Sequence, residues 1–224
     1  MSKVEILEQF TAPGNGPVGL TFDGRFLWNA DFSGGKVFRI DPKTGEHDIE
    51  LVCPGNLSGI AWNGRSLWQS LYDGGTLRRI NPETNDFDQT IMVWEHGWLT
   101  GVAWDGDNLW TVSQQHGKIF HIDHESGDTI RDIPCPVASG GLDFHNGSLW
   151  LATATPMSFD PTYEQFNWES DEQNFAILQL DPKDGTELAR YTLDFVPLGL
   201  TWANDDLWIS HVGAKKIYKV RLRD

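Results

Sequence analysis

Apolar and polar residues alternate in short runs along this chain, and no stretch sustains the 3.6-residue spacing of an amphipathic helix. The runs fall into sets of four. DGR, NGR and NGS separate the first two runs of a set, and DPKTG or NPETN separates the last two. Such segments favour tight reversals, so each set predicts four antiparallel strands, A to D.

The sets repeat. GLTFDGRFLW, GIAWNGRSLW, GVAWDGDNLW, GLDFHNGSLW and GLTWANDDLW open on Gly19, Gly59, Gly101, Gly141 and Gly199, at spacings of 40, 42, 40 and 58 residues. A four-stranded unit of about 40 residues, repeated, is the signature of a β-propeller blade. The chain is therefore expected to be all-β, a single five-bladed β-propeller domain over residues 1–224. The fifth unit stops after its third strand at KIYKVRLRD, and VEILEQF precedes the first unit. The N-terminal strand is expected to complete the C-terminal blade and close the ring, which removes an open edge. The long spacing reflects an insertion, 156–174, after strand B of blade 4. It is too short to be a sixth blade.

Each unit carries an aromatic residue three positions after its opening glycine, Phe22, Trp62, Trp104, Phe144 and Trp202. Each also carries a tryptophan early in strand B, Trp28, Trp68, Trp110, Trp150 and Trp208. Wedge-shaped sheets around a ring need bulky residues between them, so these recurrent rings are assigned to the core. Cys53 and Cys135 occupy the same position in non-adjacent units, too far apart for a bridge, and read as small buried thiols.

Composition narrows the partners. A formal charge of −15 and a pI near 4.7 exclude nucleic acid, which needs clustered Lys and Arg to neutralise phosphates. No apolar run is long enough for a signal peptide or a membrane span, so a cytoplasmic protein without a membrane partner is expected.

Departures from the repeat mark the candidate site. In propellers the D-to-A and B-to-C connections surround one mouth of the central channel, where ligands usually bind, a rule carried by fold analogy. Three tryptophans outside the repeat, Trp94, Trp98 and Trp168, map there, as do His96, His116 and His211. Just beyond the B-strand tryptophan the blades read Asp31, Leu71, Ser113, Thr153 and His211, followed by Phe32, Tyr72, Gln114, Ala154 and Val212. This divergence suits a mouth shaped around one asymmetric ligand. The insertion adds Phe159, Tyr163, Phe166 and Trp168 beside five carboxylates, Glu169 among them, and no Lys or Arg occurs from Asp132 to Pro182. Aromatic rings in an uncompensated acidic field favour a cationic ligand, and a divalent cation is a further candidate. No local motif has metal-ligand spacing, and no nucleophile frame surrounds Ser113, Ser139 or Ser210.

The blade segments GLTFDGRFLW and KVFRIDPKTG resemble two groups of propellers. One is the streptogramin B lyase-like group. That resemblance implies elimination chemistry with a histidine base and a divalent cation, with His211 or His116 as base. The other is the five-bladed plant-type glutaminyl cyclase family, also called glutamine cyclotransferases. It implies cyclisation of N-terminal glutamine by a glutamate among aromatic and polar groups.

Together these readings predict a small-molecule-binding propeller, with lyase- or cyclase-type acid–base chemistry on a cationic or aromatic ligand. His211, His116 and Glu169 are the candidate catalytic groups. Asp31, Tyr72, Trp94, His96, Trp98, Gln114 and Trp168 are the candidate ligand contacts. The alternative is a non-catalytic module that holds a protein or peptide on the same face.

Overall fold

The computed structural model describes residues 3–32, 34–72, 74–135, 139–155, 158–160, 165–167 and 174–223. After an N-terminal strand β1 (Lys3–Thr11), the repeat units fold in chain order as four-stranded antiparallel sheets. Blade 1 is β2 (Pro17–Phe22), β3 (Leu27–Asp31), β4 (Lys36–Ile40) and β5 (His47–Val52). Blade 2 is β6 (Leu57–Trp62), β7 (Leu67–Leu71), β8 (Thr76–Ile80) and β9 (Phe87–Met92). Blade 3 is β10 (Leu99–Trp104), β11 (Leu109–Ser113), β12 (Lys118–Ile122) and β13 (Thr129–Pro134). Blade 4 is β14 (Ser139–His145), β15 (Ser148–Thr155), β18 (Asn174–Leu180) and β19 (Glu187–Leu193), with a hairpin of β16 (Ser158–Asp160) and β17 (Gln165–Asn167) in the insertion. Blade 5 is β20 (Gly199–Ala203), β21 (Asp206–His211) and β22 (Lys216–Arg223), completed by β1. The chain is a five-bladed β-propeller.

The ring closes as the sequence requires. β1 pairs antiparallel with β22 from Lys3↔Arg223 to Thr11↔Lys216. It also touches β19 in parallel at Lys3↔Thr192, which joins blades 4 and 5 into one eight-stranded sheet. Inside the ring, Ser210 seals the junction between the last and first blades. Its hydroxyl donates to the Val18 carbonyl at 2.6 Å and accepts from the Gly199 N–H at 2.8 Å.

Hydrophobic clusters lie between blades. The B-strand tryptophans are at most 7% exposed, and the A-strand aromatics pack half-buried against the same clusters. The opening glycines have a separate role. A Cβ on Gly101 would stand 2.7 Å from the Gly140 carbonyl oxygen and 2.8 Å from the Leu142 nitrogen, and one on Gly141 would stand 2.7 Å from the Gly199 Cα. Five inner strands meet too closely for any side chain at that level. Cys53 is buried and Cys135 half-buried, and they are not bridged.

One inner strand carries an acid. Asp143 on β14 spans the seam to blade 5, accepting from the Trp202 N–H at 2.7 Å and the Thr201 hydroxyl at 3.1 Å. In blade 1 the neutral Thr21 hydroxyl does the same for the Trp62 N–H, at 2.9 Å. Desolvation pushes the Asp143 carboxyl up to about 7 despite these donors. The folded state thus holds a proton that the unfolded chain releases near pH 4. The associated stability is complete at low pH and is lost as pH rises through about 7. Asp143→Asn keeps an acceptor oxygen for Trp202 without the charge. It is expected to match the parent protein near pH 4 and to exceed it by about 2–4 kcal/mol at pH 8, measured by urea unfolding at both values. Equal stability at pH 8 would remove the charge from this account.

Candidate functional site at the channel mouth

The A strands converge at the B-to-C side of the ring around a pocket of about 110 Å³. Val18 and Gly19, Ser58, Thr100, Gly140 and Leu198 bring every blade to its wall. The Ser58 hydroxyl donates to the Thr100 carbonyl at 2.7 Å, which ties adjacent walls together. Phe32, Tyr72 and Gln114 complete the lining.

These three stand at matched places because the strand pairing runs on past the strand ends. The Phe32 N–H donates to the Gly16 carbonyl at 2.8 Å, the Tyr72 N–H to the Asn56 carbonyl at 2.9 Å and the Gln114 N–H to the Trp98 carbonyl at 3.3 Å. Each bond fixes the first residue of a B-to-C loop against the entry to its own A strand, so its side chain is presented to the mouth. The result is an aromatic arc. Phe32 meets Tyr72 edge-on with centroids 5.8 Å apart, and Tyr72 meets Trp98 at 5.4 Å with planes tilted by 32°. Burial pushes the Tyr72 phenol up to about 12, so it acts as a neutral hydroxyl in any ordinary buffer.

Of the candidate ligand contacts, Tyr72 and Gln114 line the pocket and Trp98 adjoins it through Tyr72. Asp31 faces the polypeptide instead. Its carboxylate accepts from the Gly16 N–H at 2.7 Å and the Asn15 N–H at 3.2 Å, and it is 3% exposed. It pins the segment that leads from the closing strand into blade 1. Trp94 stands on the rim, 71% exposed.

The three histidines do not gather at the mouth. The connection from blade 2 to blade 3 makes a single 3-10 turn at Trp94–His96, closed by the Gly97 N–H on the Trp94 carbonyl at 3.0 Å. That turn carries His96 into the seam between the blades, where its ring stacks on Phe120 of β12 at 3.7 Å. Its Nε2 lies 2.7 Å from the Thr129 hydroxyl. Burial lowers its pKa, so the ring is neutral at pH 7. His116 is exposed nearby, with its ring 6.3 Å from that of Phe120. His211 belongs to another seam, stacked on Phe195 at 4.9 Å, and its pKa too is lowered by burial. His96 and His116 lie in connections between strands and His211 at the end of β21; the side chains of His96 and His211 pack into seams, while that of His116 is exposed. Trp168 and Glu169 lie outside the described residues.

Among the described residues, no group of three or more His, Cys, Asp or Glu side chains is arranged to hold a metal ion. No helix among them is long and apolar enough to cross a membrane. Phe32 is the lining residue that a search for chemically active side chains passes over. Its signal was its place, the position at which Tyr72 and Gln114 also stand.

No known family profile matches the sequence, and no curated protein matches it. Solved structures do. The glutaminyl cyclase of Myxococcus xanthus superimposes with a TM-score of 0.79 at 14% identity, over 99% of this chain and 97% of that one. The hydrazine synthase of Kuenenia stuttgartiensis gives 0.55 at 16% identity, over 90% of this chain and 57% of that one. The likeness is one of fold. It joins this chain to a cyclase propeller along nearly the whole length of both, in keeping with one of the two groups its blade segments resemble.

Proposed function

We propose that the protein binds a small cationic molecule at the channel mouth, against the arc of Phe32, Tyr72 and Trp98. The observation that carries this reading is that arc. It lies where the repeat diverges between blades, beside a pocket walled by every blade, on a protein with a formal charge of −15. Rings present the negative face of their quadrupole to a cation, and the net charge raises cation concentration at the surface. Turnover of cyclase or lyase type, with Glu169 as the carboxylate expected from the sequence, belongs to the same proposal. It is supported by the fold likeness to a cyclase alone.

Tetramethylammonium is compact enough to probe the mouth. It is expected to bind saturably by NMR titration, and Tyr72→Ala to weaken it about ten-fold or more, the scale of one desolvated cation–π contact. Trp94→Ala, on the rim, should leave affinity unchanged. Equal binding by the parent protein and Tyr72→Ala, or no saturable binding, would refute the assignment. The alternative, a peptide- or protein-holding face, is favoured by the exposure of Trp94 and Met92 two residues apart on the rim, at 71% and 45%. Loss of a protein partner on Trp94→Ala with tetramethylammonium binding intact would select it.

A further inference from the structure

A second cleft opens on the opposite face of the ring, between blades 5 and 1, where the ends of the chain meet. Its volume is about 330 Å³. Comparison of the blades shows what it lacks. In blade 1 the indole N–H of Trp28 donates to the Asp23 carboxylate at 2.8 Å, and the Arg39 guanidinium lies 5.9 Å from the Trp28 ring. Blade 3 repeats the arrangement. The Trp110 indole donates to the Asp105 carboxylate at 2.8 Å, while His121 stacks on Trp110 at 4.1 Å with its Nε2 2.9 Å from the same carboxylate. Each is a closed cell of carboxylate, indole N–H and basic side chain.

Strand register identifies the same cell in blade 5. Thr21↔Trp28, Ala103↔Trp110 and Thr201↔Trp208 are equivalent pairs, as are Trp28↔Arg39, Trp110↔His121 and Trp208↔Lys219. Trp208 and Lys219 are present, but Ala203 stands five residues before the tryptophan, where Asp23 and Asp105 stand in their blades. Repeat symmetry aims the Trp208 Nε1 at the Ala203 wall of the cleft, and it donates to nothing among the described residues. Among the described residues, the tryptophans of the other two blades are placed differently. Blade 4 supplies the His145 carbonyl to its tryptophan at 3.4 Å, and blade 2 seals the Trp68 indole nitrogen in the core.

We propose that this cleft binds a small carboxylate on an apolar body, which completes the cell that Ala203 leaves open. The carboxylate would accept from the Trp208 Nε1, as Asp23 and Asp105 do for their tryptophans. Lys219 stands over it as the cation, now shared with Asp206 at 2.8 Å and Glu8 at 3.5 Å. Lys43 at the rim makes no ion pair among the described residues and adds a second positive charge. Phe22 and Pro42 of blade 1 form the apolar wall for the ligand body. Charged acceptors are favoured over neutral ones at such an N–H because the hydrogen bond is charge-assisted.

The test follows the tryptophan indole signals in ¹H–¹⁵N spectra during titration with sodium benzoate, N-acetylphenylalanine and benzamide. The Trp208 signal is expected to shift saturably with both acids and at least ten-fold more weakly with benzamide, which has the ring without the charge. Tighter binding of N-acetylphenylalanine would indicate a chain-terminal carboxylate as the natural source, and tighter binding of benzoate a free acid. Ala203→Asp supplies the missing carboxylate from the chain itself. It is expected to move the Trp208 signal without ligand and to weaken benzoate at least ten-fold. No saturable shift at Trp208, or equal response to benzoate and benzamide, overturns the proposal in the unsubstituted protein.

Discussion

Deletion of residues 3–11 is expected to leave a chain that no longer unfolds cooperatively. β1 makes eight register pairs with β22 and covers its otherwise open edge. It also packs Phe10 against Trp208, ring centroids 5.6 Å apart, and sets Val4 against the blade 5 cluster. Without it, blade 5 is a three-stranded sheet with an unpaired edge and part of its core in water. Backbone hydrogen bonds contribute about 0.5–1.5 kcal/mol each, and Phe10 and Val4, both partly buried, each add a fraction of the roughly 1.5–3 kcal/mol that full burial of such a side chain supplies. The sum is comparable to the 5–15 kcal/mol that separates a typical domain from its unfolded state. Urea titration followed by tryptophan fluorescence should show a broad transition at low denaturant. Addition of the peptide KVEILEQFT in trans should restore a cooperative one, since it offers the same pairing at an entropic cost. A truncated protein with the parent's urea midpoint would contradict the closure account.

Gly101→Ala is expected to destabilise by about 3 kcal/mol, at the upper end for overpacked cores, and to lower the melting temperature by roughly 6–12 °C in a chain of this length. The sign is informative. Gly101 is not among the glycines with positive φ, so an alanine there meets no backbone objection and would ordinarily stabilise by about 0.4–1 kcal/mol through the unfolded state. Here the added methyl must displace the Gly140 carbonyl and the Leu142 backbone, which belong to another blade and cannot rotate away as a side chain would. Calorimetry on the alanine variant decides between the two. A stabilised variant would show that the ring can expand and that its central packing is looser than described.

The architecture was legible because it rests on repetition. A glycine, an aromatic residue and a tryptophan at fixed offsets in every unit predict blades, and an unfinished last unit together with an unattached first strand predicts how they join. The candidate site was legible in one respect. The positions just beyond the B-strand tryptophans vary, and those of blades 1 to 3, Phe32, Tyr72 and Gln114, line the mouth. Chemical type and position drew attention to different residues. Histidine and aspartate suggest proton transfer, so His96, His116, His211 and Asp31 stood out, while Phe32 did not.

Residue order and period by themselves determined the number of blades, the strand order within each and the closure of the ring, because each follows from local pairing rules applied to a repeat. The tertiary structure decided which way the connecting residues face. The ends of a connection are set by its blades, but one turn of 3-10 backbone at Trp94–His96 is enough to swing His96 away from the channel and onto Phe120 of the next blade. The neighbouring blade also decides whether a missing side chain leaves a sealed core or an open cleft. Ala203 is an ordinary residue in the sequence, and it becomes a vacancy in a repeated cell only when Trp208, Lys219 and the wall of blade 1 stand around it.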